Sequence, residues 1–411
     1  MRVRMRGFAS RTKLKDALKL VLSRVKPLDS EMVLFERALG RVLAEDVVSK
    51  TDIPPFNRSA VDGYAVRAAD TFGASETKPK KLRVVGSAKI GVATKSRVRK
   101  GEAIKLMTGA PMPQGADAVV MVEHTKIEGK RIAVLASLTP GKNVSARGED
   151  VSAGEMVLKR GQQLRPQDIG MLSSISHLKV LVFRRPKVAI IATGSELRRP
   201  GTRLKSGQIT DINRYSLSAG VTSCGGVANP LDITPDKPQA MRRVLQKALK
   251  NDVVLISGGS SVGEHDIAPD MVAELGELLF HGVALRPGGP TAFGVVRGKP
   301  VFCLAGFPVA SLVAFDMLVR PAIWVMQGLP PDWGCLRVRA KLTRKVASSL
   351  GRVDVVRVRV WSEADKLLAE PIRVTGSSIL SSMTRADGFI LVPAAMEGFE
   401  KGQTIEVELY S

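Results

Sequence analysis

The spacing of apolar residues predicts helices at the start of the chain. Apolar residues between Leu14 and Val25 recur every three or four positions, which predicts an amphipathic helix over residues 12–26 that ends before Pro27. A second short helix is predicted over residues 30–39, because Gly40 follows it as an end signal.

Residues 41–160 have a different pattern. Their apolar residues form short runs separated by glycine and proline, so we expect mostly strands and loops. The runs are Leu82–Val85, Ala103–Met107, Ala118–Val122, Arg131–Leu135 and Met156–Leu158. Helical spacing returns over residues 165–176.

From residue 187 onward the pattern indicates strands that alternate with helices. Val188–Ala192 and Val253–Ile256 are continuous apolar runs, which is typical of strands buried on both faces of a mainly parallel sheet. Further strands are predicted around 279–284, 291–296 and 300–304, and helices around 212–223, 236–250, 267–275 and 308–326. After Pro330 and Pro331, alternating runs predict a small β-domain.

The charge of the chain favours an anionic partner. Its 62 Lys and Arg against 39 Asp and Glu give a net charge of +23. Aromatic residues make up only 4 %, and no basic stripe is interleaved with them, so nucleic acid is not expected as a partner. We interpret the charge as a general basic background together with a solvated face of the N-terminal helix, with attraction of small anions and weak nucleic-acid contact as the functional alternatives.

The cysteines and the apolar runs bear on location. Cys224, Cys303 and Cys335 are widely spaced, so neither a disulfide framework nor a Cys-x-x-Cys metal site is expected. A reducing cytoplasm is the simplest location. No apolar run approaches the roughly 18 residues of a membrane span, so no membrane is expected as a partner.

The segment Ser257–Asp266 has the composition of an anion site. Its glycines follow a buried strand and precede a predicted helix, where backbone N–H groups can bind a phosphate. Glu264 and Asp266 add carboxylates that could hold a divalent cation beside that phosphate. A purely structural turn is the alternative.

Two further turns follow predicted strands. Thr193-Gly194-Ser195-Glu196 places an acid where it could bind polar groups of a substrate, or could simply cap a helix. Arg286-Pro287-Gly288-Gly289-Pro290 presents a natural anion ligand, Arg286, on a rigid turn, or is a plain turn.

Two loop segments outside this α/β part also combine polar residues with glycine. Residues 54–65 contain Asp62 beside Gly63, and residues 107–113 contain Thr108 beside Gly109, which suggests a close approach of the backbone to another group. The histidines His124, His177 and His281 form no pattern of a catalytic triad or a zinc site and are interpreted as structural.

In this order, these segments resemble the molybdopterin molybdenumtransferase family, the molybdenum-insertion enzymes that include the E-domain of gephyrin. The matching segments span nearly the whole chain. They are PPFNRSAVDGYAV (54–66), MTGAPMPQGADAVVM (107–121), RGEDVSAGE (147–155), ATGSEL (192–197), DINRY (211–215), ISGGSSVGEHD (256–266), RPGGPTAFG (286–294), AGFPVAS (305–311) and SSILSSMTRADGF (377–389).

The resemblance implies a multidomain α/β plus β fold. Its parts would be a central three-layer α/β domain with a mainly parallel sheet, an inserted β-rich lobe, a mixed connecting domain and a C-terminal β-barrel. On this chain they would cover 1–50 with 140–180 (connecting), 51–139 (lobe), 181–330 (α/β) and 331–411 (barrel).

The resemblance also implies the reaction. Adenylylated molybdopterin and molybdate, or tungstate, would give molybdenum cofactor and AMP, with Mg²⁺ as cofactor. The protein would be a cytoplasmic homodimer whose active cleft lies between the α/β domain of one subunit and the β-rich lobe of the other.

Site residues follow from the resemblance by position. The catalytic residues would be Asp62, Thr108, Asp150, Glu196 and Asp266, and Asp266 with Glu196 would bind the metal. The residues that bind the pterin phosphate or the oxyanion would be Gly258, Gly259, Ser261, Gly263, Arg286, Ser311, Arg357, Ser377 and Ser378.

The chain departs from the family pattern around the oxyanion. Gly289 stands where the family usually has lysine, and Phe307 and Ala310 stand in a loop that usually contains asparagine or tyrosine and serine. Each lost charge-assisted hydrogen bond to molybdate would cost about 1.5–3 kcal/mol, which Arg286 or Ser311 could offset. The alternatives to an active insertase are therefore a paralogue that carries the pterin without efficient insertion, and a nucleic-acid or partner-binding module that keeps only the fold.

Overall fold

The chain forms two compact units. The structure, a computed structural model, describes residues 11–92, 95–258, 267–373 and 376–410. Unit 1 comprises the chain up to Glu31, Gly40–Ala44 and the chain from Val182 onward, and unit 2 comprises Met32–Leu39 and Glu45–Leu181.

A six-stranded mixed sheet forms the core of unit 2. Its strands are β1 (Gly63–Val66), β2 (Lys80–Ser87), β3 (Glu102–Leu106), β4 (Ala118–Met121), β5 (Thr125–Glu128) and β6 (Arg131–Val134). Their spatial order is β4-β1-β3-β2-β6-β5; β2 and β3 are parallel and the other neighbours antiparallel. Successive side chains point to opposite faces, so Val120 packs in one buried cluster and Val119 in another.

A second six-stranded sheet organises unit 1. Its strands are β7 (Lys187–Ala192), β8 (Val227–Pro230), β9 (Val253–Ser257), β10 (Glu277–His281), β11 (Ala292–Val296) and β12 (Lys299–Leu304). The spatial order is β8-β7-β9-β12-β11-β10. Strands β8, β7, β9 and β12 are parallel, and β11 is antiparallel to both of its neighbours, β12 and β10. The central strands are fully buried, which explains their continuous apolar sequences.

Proline begins three of the helices. The α-helices are α1 (Leu14–Leu22), α2 (Pro166–Ser174), α3 (Asn213–Ser223), α4 (Pro238–Ala248), α5 (Ile267–Leu275), α6 (Pro308–Ala314), α7 (Arg320–Met326) and α8 (Ser381–Thr384). Pro166, Pro238 and Pro308 occupy the first helical position, where the missing N–H costs no hydrogen bond. A five-residue π-helical segment, Phe315–Val319, joins α6 to α7.

The end of the chain forms a closed five-stranded barrel. Its strands are β13 (Arg337–Leu342), β14 (Val353–Glu363), β15 (Lys366–Arg373), β16 (Gly388–Val392) and β17 (Thr404–Leu409). The cycle β14-β15-β13-β17-β16 closes because β14 also pairs with β16. The predicted fold class, an α/β protein with a mainly parallel sheet and a β-barrel, is confirmed.

The remaining strands have two to five residues. They are Ser30–Leu34, Val47–Val48, Arg58–Ser59, Val144–Ser145, Met156–Leu158, Lys179–Phe183, Leu197–Arg198, Ile209–Thr210, Leu285–Arg286, Val346–Ala347 and Gly398–Phe399.

The predicted helix over residues 30–39 is wrong. Ser30–Leu34 is a strand, and Phe35–Arg37 forms one 3-10 turn. The backbone N–H of Phe35 donates to the carbonyl oxygen of Leu178 (3.1 Å). Local spacing could not reveal this distant partner. The other predicted helices and strands are present within a few residues of their expected ends.

The helical stretch Pro308–Met326 corrects the expectation that no apolar segment approaches the length of a membrane span. It is 19 residues long and apolar enough to cross a membrane by length and composition alone. Most of it is buried inside unit 1, so its apolar sequence is explained by packing in the core.

Packing of α4 on the sheet makes a stability prediction. Leu245 is fully buried in the cluster that joins α4 to β7 and β9, so Leu245→Ala should lower the free energy of unfolding by about 2–5 kcal/mol. Leu350 is 60 % exposed, and Leu350→Ala should change it by less than about 0.5 kcal/mol. Tryptophan fluorescence in urea reports on unit 1, because Trp324, Trp333 and Trp361 all lie there. Equal effects of the two substitutions would contradict this packing.

Candidate active site

A large cavity lies at one edge of the α/β sheet, at the carboxyl ends of three strands. The loops leave β7, β9 and β12 after Ala192, Ser257 and Leu304, which lie side by side in the strand register. The cavity has a volume of about 800 Å³. Because these strands are parallel, their carboxyl ends collect at one edge, the usual ligand position in such sheets.

Three carboxylates line this cavity, those of Glu196, Asp236 and Asp211, and Asp211 is buried in an ion pair with Arg214. Glu196 lines it, and its Oε1 would be only 2.7 Å from a Cβ at Gly194, so the glycine leaves room for the carboxylate. Asp236 also lines it. Asp236 accepts hydrogen bonds from Thr193 Oγ1 (2.5 Å) and from the backbone N–H of Ser195 (3.3 Å).

An asparagine from α3 ties two of the loops together. Asn213 Nδ2 donates to Ser257 Oγ and to the carbonyl oxygen of Gly306, both at 2.7 Å. Its Oδ1 is buried and has no hydrogen-bond partner among the described residues. Asn213 therefore offers a fixed acceptor at the cavity wall that a ligand N–H could satisfy.

Gly258 begins the predicted phosphate-binding turn. It lines the cavity with a φ of +106°, and a Cβ there would collide with the backbone carbonyl oxygen of Thr193. Glycine is required at this position for both reasons. The predicted ligands Gly259, Ser261, Gly263 and Asp266 lie outside the described residues.

A basic cavity adjoins the first one. It has a volume of about 390 Å³ and shares Pro290, Ala305 and Phe307 with the larger cavity. Its wall includes four arginines, listed as Arg11, Arg286, Arg352 and Arg357, and no Asp or Glu of the described part of the chain. Burial, together with repulsion from Arg286, lowers the pKa of Arg357.

The predicted serines divide between the two cavities and the core. Ser377 lines the basic cavity and Ser378 lines the larger one. Ser311 is fully buried on α6 and lines neither cavity, and its Oγ has no hydrogen-bond partner among the described residues. Ala310, its neighbour, faces the basic cavity with a methyl group.

A second cluster of predicted residues lies in unit 2. The backbone N–H and Oγ1 of Thr108 both donate to Asp62 Oδ1 at 2.7 Å. These two hydrogen bonds, first that of the backbone and then that of the side chain, hold the pKa of Asp62 below its usual value. Asp62 is therefore an exposed, ionised carboxylate with a fixed orientation.

Asp150 lies in a segment that packs on the same loops. Its backbone N–H donates to the carbonyl oxygen of Ile53 (3.0 Å), and its side chain is exposed. Ser59 joins the segments of Asp62 and Thr108, because its backbone N–H donates to Ala110 and its carbonyl oxygen accepts from Gly109. Ser59 also pairs with Val144 just before the Asp150 segment. Three sequence segments far apart in the chain thus meet in unit 2.

The donor chemistry of the larger cavity fits Mg²⁺. Glu196 and Asp236 supply carboxylate oxygens, which this hard cation prefers. No group of three or more His, Cys, Asp or Glu residues suited to a metal occurs in the described residues. Mg²⁺ is usually held by one or two carboxylates together with substrate phosphates, so the donors present fit a cation that arrives with a phosphorylated ligand.

The sequence matches known families along most of its length. Residues 12–176 match the MoeA N-terminal region (domain I and II), 189–324 the "Probable molybdopterin binding domain", and 339–410 the MoeA C-terminal region (domain IV). A Bacillus subtilis protein named molybdopterin molybdenumtransferase is 34 % identical over 404 residues, which is 96 % of this chain and 93 % of that protein. The chain belongs to the molybdopterin molybdenumtransferase family.

Other comparisons agree with this family. A molybdopterin biosynthesis protein of Methanocaldococcus jannaschii is 39 % identical over 411 residues, covering 96 % of this chain and 97 % of that protein. A crystal structure of the molybdopterin biosynthesis MoeA protein from Pyrococcus horikoshii OT3 matches with a TM-score of 0.84 and 37 % identity, covering 98 % of this chain and all of that one. The resemblance seen in the sequence is confirmed, and the protein is a transferase with a role in molybdenum cofactor biosynthesis.

Two residues that line the larger cavity, Asp236 and Asn213, were not predicted from the sequence. Asp236 lies in a proline-bounded turn without any recognised motif, and only the bridge between Thr193 and Thr234 brings it to the cavity. Asn213 lies in the segment DINRY that matches the family, but the sequence pattern indicated no role for its side chain. Its significance depends on the loops of Ser257 and Gly306, which come from other strands.

The hydrogen bonds of Asp62 make a spectroscopic prediction. Thr108→Val removes the hydroxyl donor and keeps the backbone N–H, so the pKa of Asp62 should rise but remain below its ordinary value. A pH titration of ¹³C-labelled aspartate carboxyls by NMR measures this. Thr125→Val is the control, because Thr125 Oγ1 bonds to Val122 in the same unit. An unchanged titration of Asp62 would show that the hydroxyl bond is unimportant.

The backbone of Gly258 predicts a contrast between two glycines. Gly258→Ala should lower the melting temperature by at least about 2 °C, because a left-handed alanine costs about 1 kcal/mol and the collision with Thr193 adds to it. Gly306→Ala should have a much smaller effect, since its Cβ would lie 3.6 Å from its nearest neighbour, the Gly258 Cα. Differential scanning calorimetry compares the two; a larger effect at Gly306 would refute the geometry.

Proposed function

We propose that the protein inserts molybdate or tungstate into adenylylated molybdopterin and releases AMP, with Mg²⁺ as cofactor. The observation that carries this proposal is the adjacency of two different cavities in unit 1. One is lined by Glu196 and Asp236 and the other by arginines, and Phe307 lies between them. A reaction that combines a phosphorylated pterin nucleotide with a metal oxyanion requires two neighbouring binding sites of this kind.

The larger cavity suits the pterin nucleotide. Its volume of about 800 Å³ is within the range of small-molecule sites. The unpartnered Asn213 Oδ1 would accept a hydrogen bond from a ring N–H, and Phe307, which is 59 % exposed, offers a flat face for stacking. Gly258 allows the backbone to approach a phosphate.

The basic cavity suits a tetrahedral dianion. Guanidinium groups donate paired N–H bonds to oxyanions and stay charged at all physiological pH values. Arg286, Arg357 and Ser377 are the predicted oxyanion ligands among the residues that line it, and Arg352 lines it as well. In this arrangement the oxyanion would lie beside the pterin that receives the metal.

The chain's own residues would then act by orientation and charge. Glu196 and Asp236 would hold Mg²⁺, and Asp236 is kept in place by Thr193 and the backbone of Ser195. When bound, the cation would neutralise phosphate oxygens and polarise the bond between the pterin phosphate and the adenylate. The two dithiolene sulfurs would replace oxygens of the oxyanion, which leave as water, and attack of water on the phosphoanhydride would release the adenylate as AMP.

We further propose a cytoplasmic homodimer. The family resemblance supports a cleft to which the other subunit brings its exposed Asp62–Thr108 pair and Asp150. The fixed, ionised Asp62 carboxylate is suited to orient a cation or a substrate N–H.

A carrier function is the second candidate. It is favoured by the buried position of Ser311 and by Gly289 and Ala310, which add no polar side chain to the basic cavity. Such a protein would bind adenylylated molybdopterin and release no AMP in response to an oxyanion.

The test is AMP release from adenylylated molybdopterin and Mg²⁺, with and without molybdate or tungstate. Release that requires the oxyanion supports the insertase, whereas tight pterin binding without release supports the carrier. Glu196→Gln should lower the rate by about 100-fold, because loss of groups that hold or orient a metal typically costs 10- to 100-fold. Glu274→Gln, on the surface of the same unit, should leave the rate unchanged. Equal rates for the two variants would exclude Glu196 from the reaction.

A further inference from the structure

A buried carboxylate lies behind the basic cavity. The short strand Leu285–Arg286 pairs in parallel with the start of β14, and this register places Arg286 directly opposite Asp354. Asp354 is only 1 % exposed. It accepts hydrogen bonds from Arg286 Nη2, Arg352 Nε (3.1 Å) and Ser348 Oγ (2.8 Å).

The two arginines keep most of their donors for another group. Arg286 uses only Nη2 on Asp354, and its buried Nε has no hydrogen-bond partner among the described residues. Arg352 uses only Nε on Asp354. One carboxylate thus fixes two guanidinium groups while accepting only one N–H from each, and both groups line the cavity.

Among the described residues that line this cavity, the charged side chains are arginines. One carboxylate faces two arginines directly, and Arg11 and Arg357 also line the cavity. Arg357 is itself 1 % exposed. An anion bound in the cavity would be attracted by this positive charge.

We propose that Asp354 is a positioning residue that orients the guanidinium groups of Arg286 and Arg352 for a dianionic oxyanion in the basic cavity. The inference deepens the proposed function, because the oxyanion is taken to be its molybdate or tungstate substrate. It also explains how the chain manages without a lysine at Gly289. A pair of oriented forks supplies the charge that this position lacks.

Another buried aspartate in unit 1 provides the matched control. Asp252 accepts both Nη groups of Arg184 (2.7 and 3.0 Å) and the backbone N–H of Lys187 (2.8 Å). It is 7 % exposed, and neither Asp252 nor Arg184 lines the basic cavity. Asp252 thus shares the burial and the arginine partner of Asp354 without its place beside the cavity.

The experiment measures binding of tungstate alone to the purified protein by isothermal titration calorimetry. Asp354→Asn should raise the Kd at least tenfold, and Asp354→Glu should recover part of the affinity. Asp252→Asn should lower the melting temperature and leave the Kd within twofold of the unsubstituted protein. In the AMP-release assay, Asp354→Asn should raise the KM for the oxyanion without changing the KM for the pterin nucleotide.

Milder variants cover the case in which Asp354→Asn does not fold. Arg352→Lys keeps the charge and loses the fork, and should raise the Kd about tenfold; Ser348→Ala should raise it two- to fivefold. The inference is overturned if folded variants bind tungstate within twofold of the unsubstituted protein, or if the unsubstituted protein neither binds nor uses the oxyanion.

Failure of the two proposals is distinguishable. Tungstate binding that depends on Asp354, without AMP release on addition of an oxyanion, would refute the insertase and support the positioning role. Oxyanion-dependent AMP release with an unchanged KM for the oxyanion in Asp354→Asn would support the insertase and refute the positioning role of Asp354.

Discussion

The parallel register of three strands is the constraint on which the site in unit 1 depends. Ala192, Ser257 and Leu304 are neighbours in the sheet, so the loops that follow them leave from the same edge. The length and composition of each loop, taken separately, do not define a binding site. Because the loops leave from the same edge, Glu196, Gly258 and the exposed ring of Phe307 line one cavity.

Charge is separated between the two adjoining cavities rather than spread evenly. Carboxylates line the larger cavity and arginines the smaller one. The buried Asp354 permits this crowding of arginines, because it lowers their mutual repulsion and fixes their direction. Part of the net charge of +23 is therefore concentrated at this cavity, which the total charge alone could not reveal.

The cluster in unit 2 is built differently. Asp62 and Thr108 lie in exposed loops, and their hydrogen bonds orient a carboxylate that stays hydrated and ionised. The segments that support them are joined by backbone pairings of Ser59 and by a buried cluster in which Val61, Ala110 and Val144 pack together. A site of this kind can meet a ligand or another protein surface while the sheet beneath it provides the stability.

The sequence by itself determined the elements whose signals are local. Continuous apolar runs predicted β7 and β9, and apolar residues at helical spacing predicted α1 and α2, because burial on two faces of a strand or on one face of a helix leaves its mark on neighbouring residues. Sequence segments such as ISGGSSVGEHD and RPGGPTAFG, in their order along the chain, were enough to identify the family. Tertiary structure alone decided the rest. It made Ser30–Leu34 a strand, brought Asp236 to the cavity, buried Ser311 and set Arg286 opposite Asp354. Each of these depends on strand pairing or loop packing between residues far apart in the chain, and local spacing carries no information about such partners.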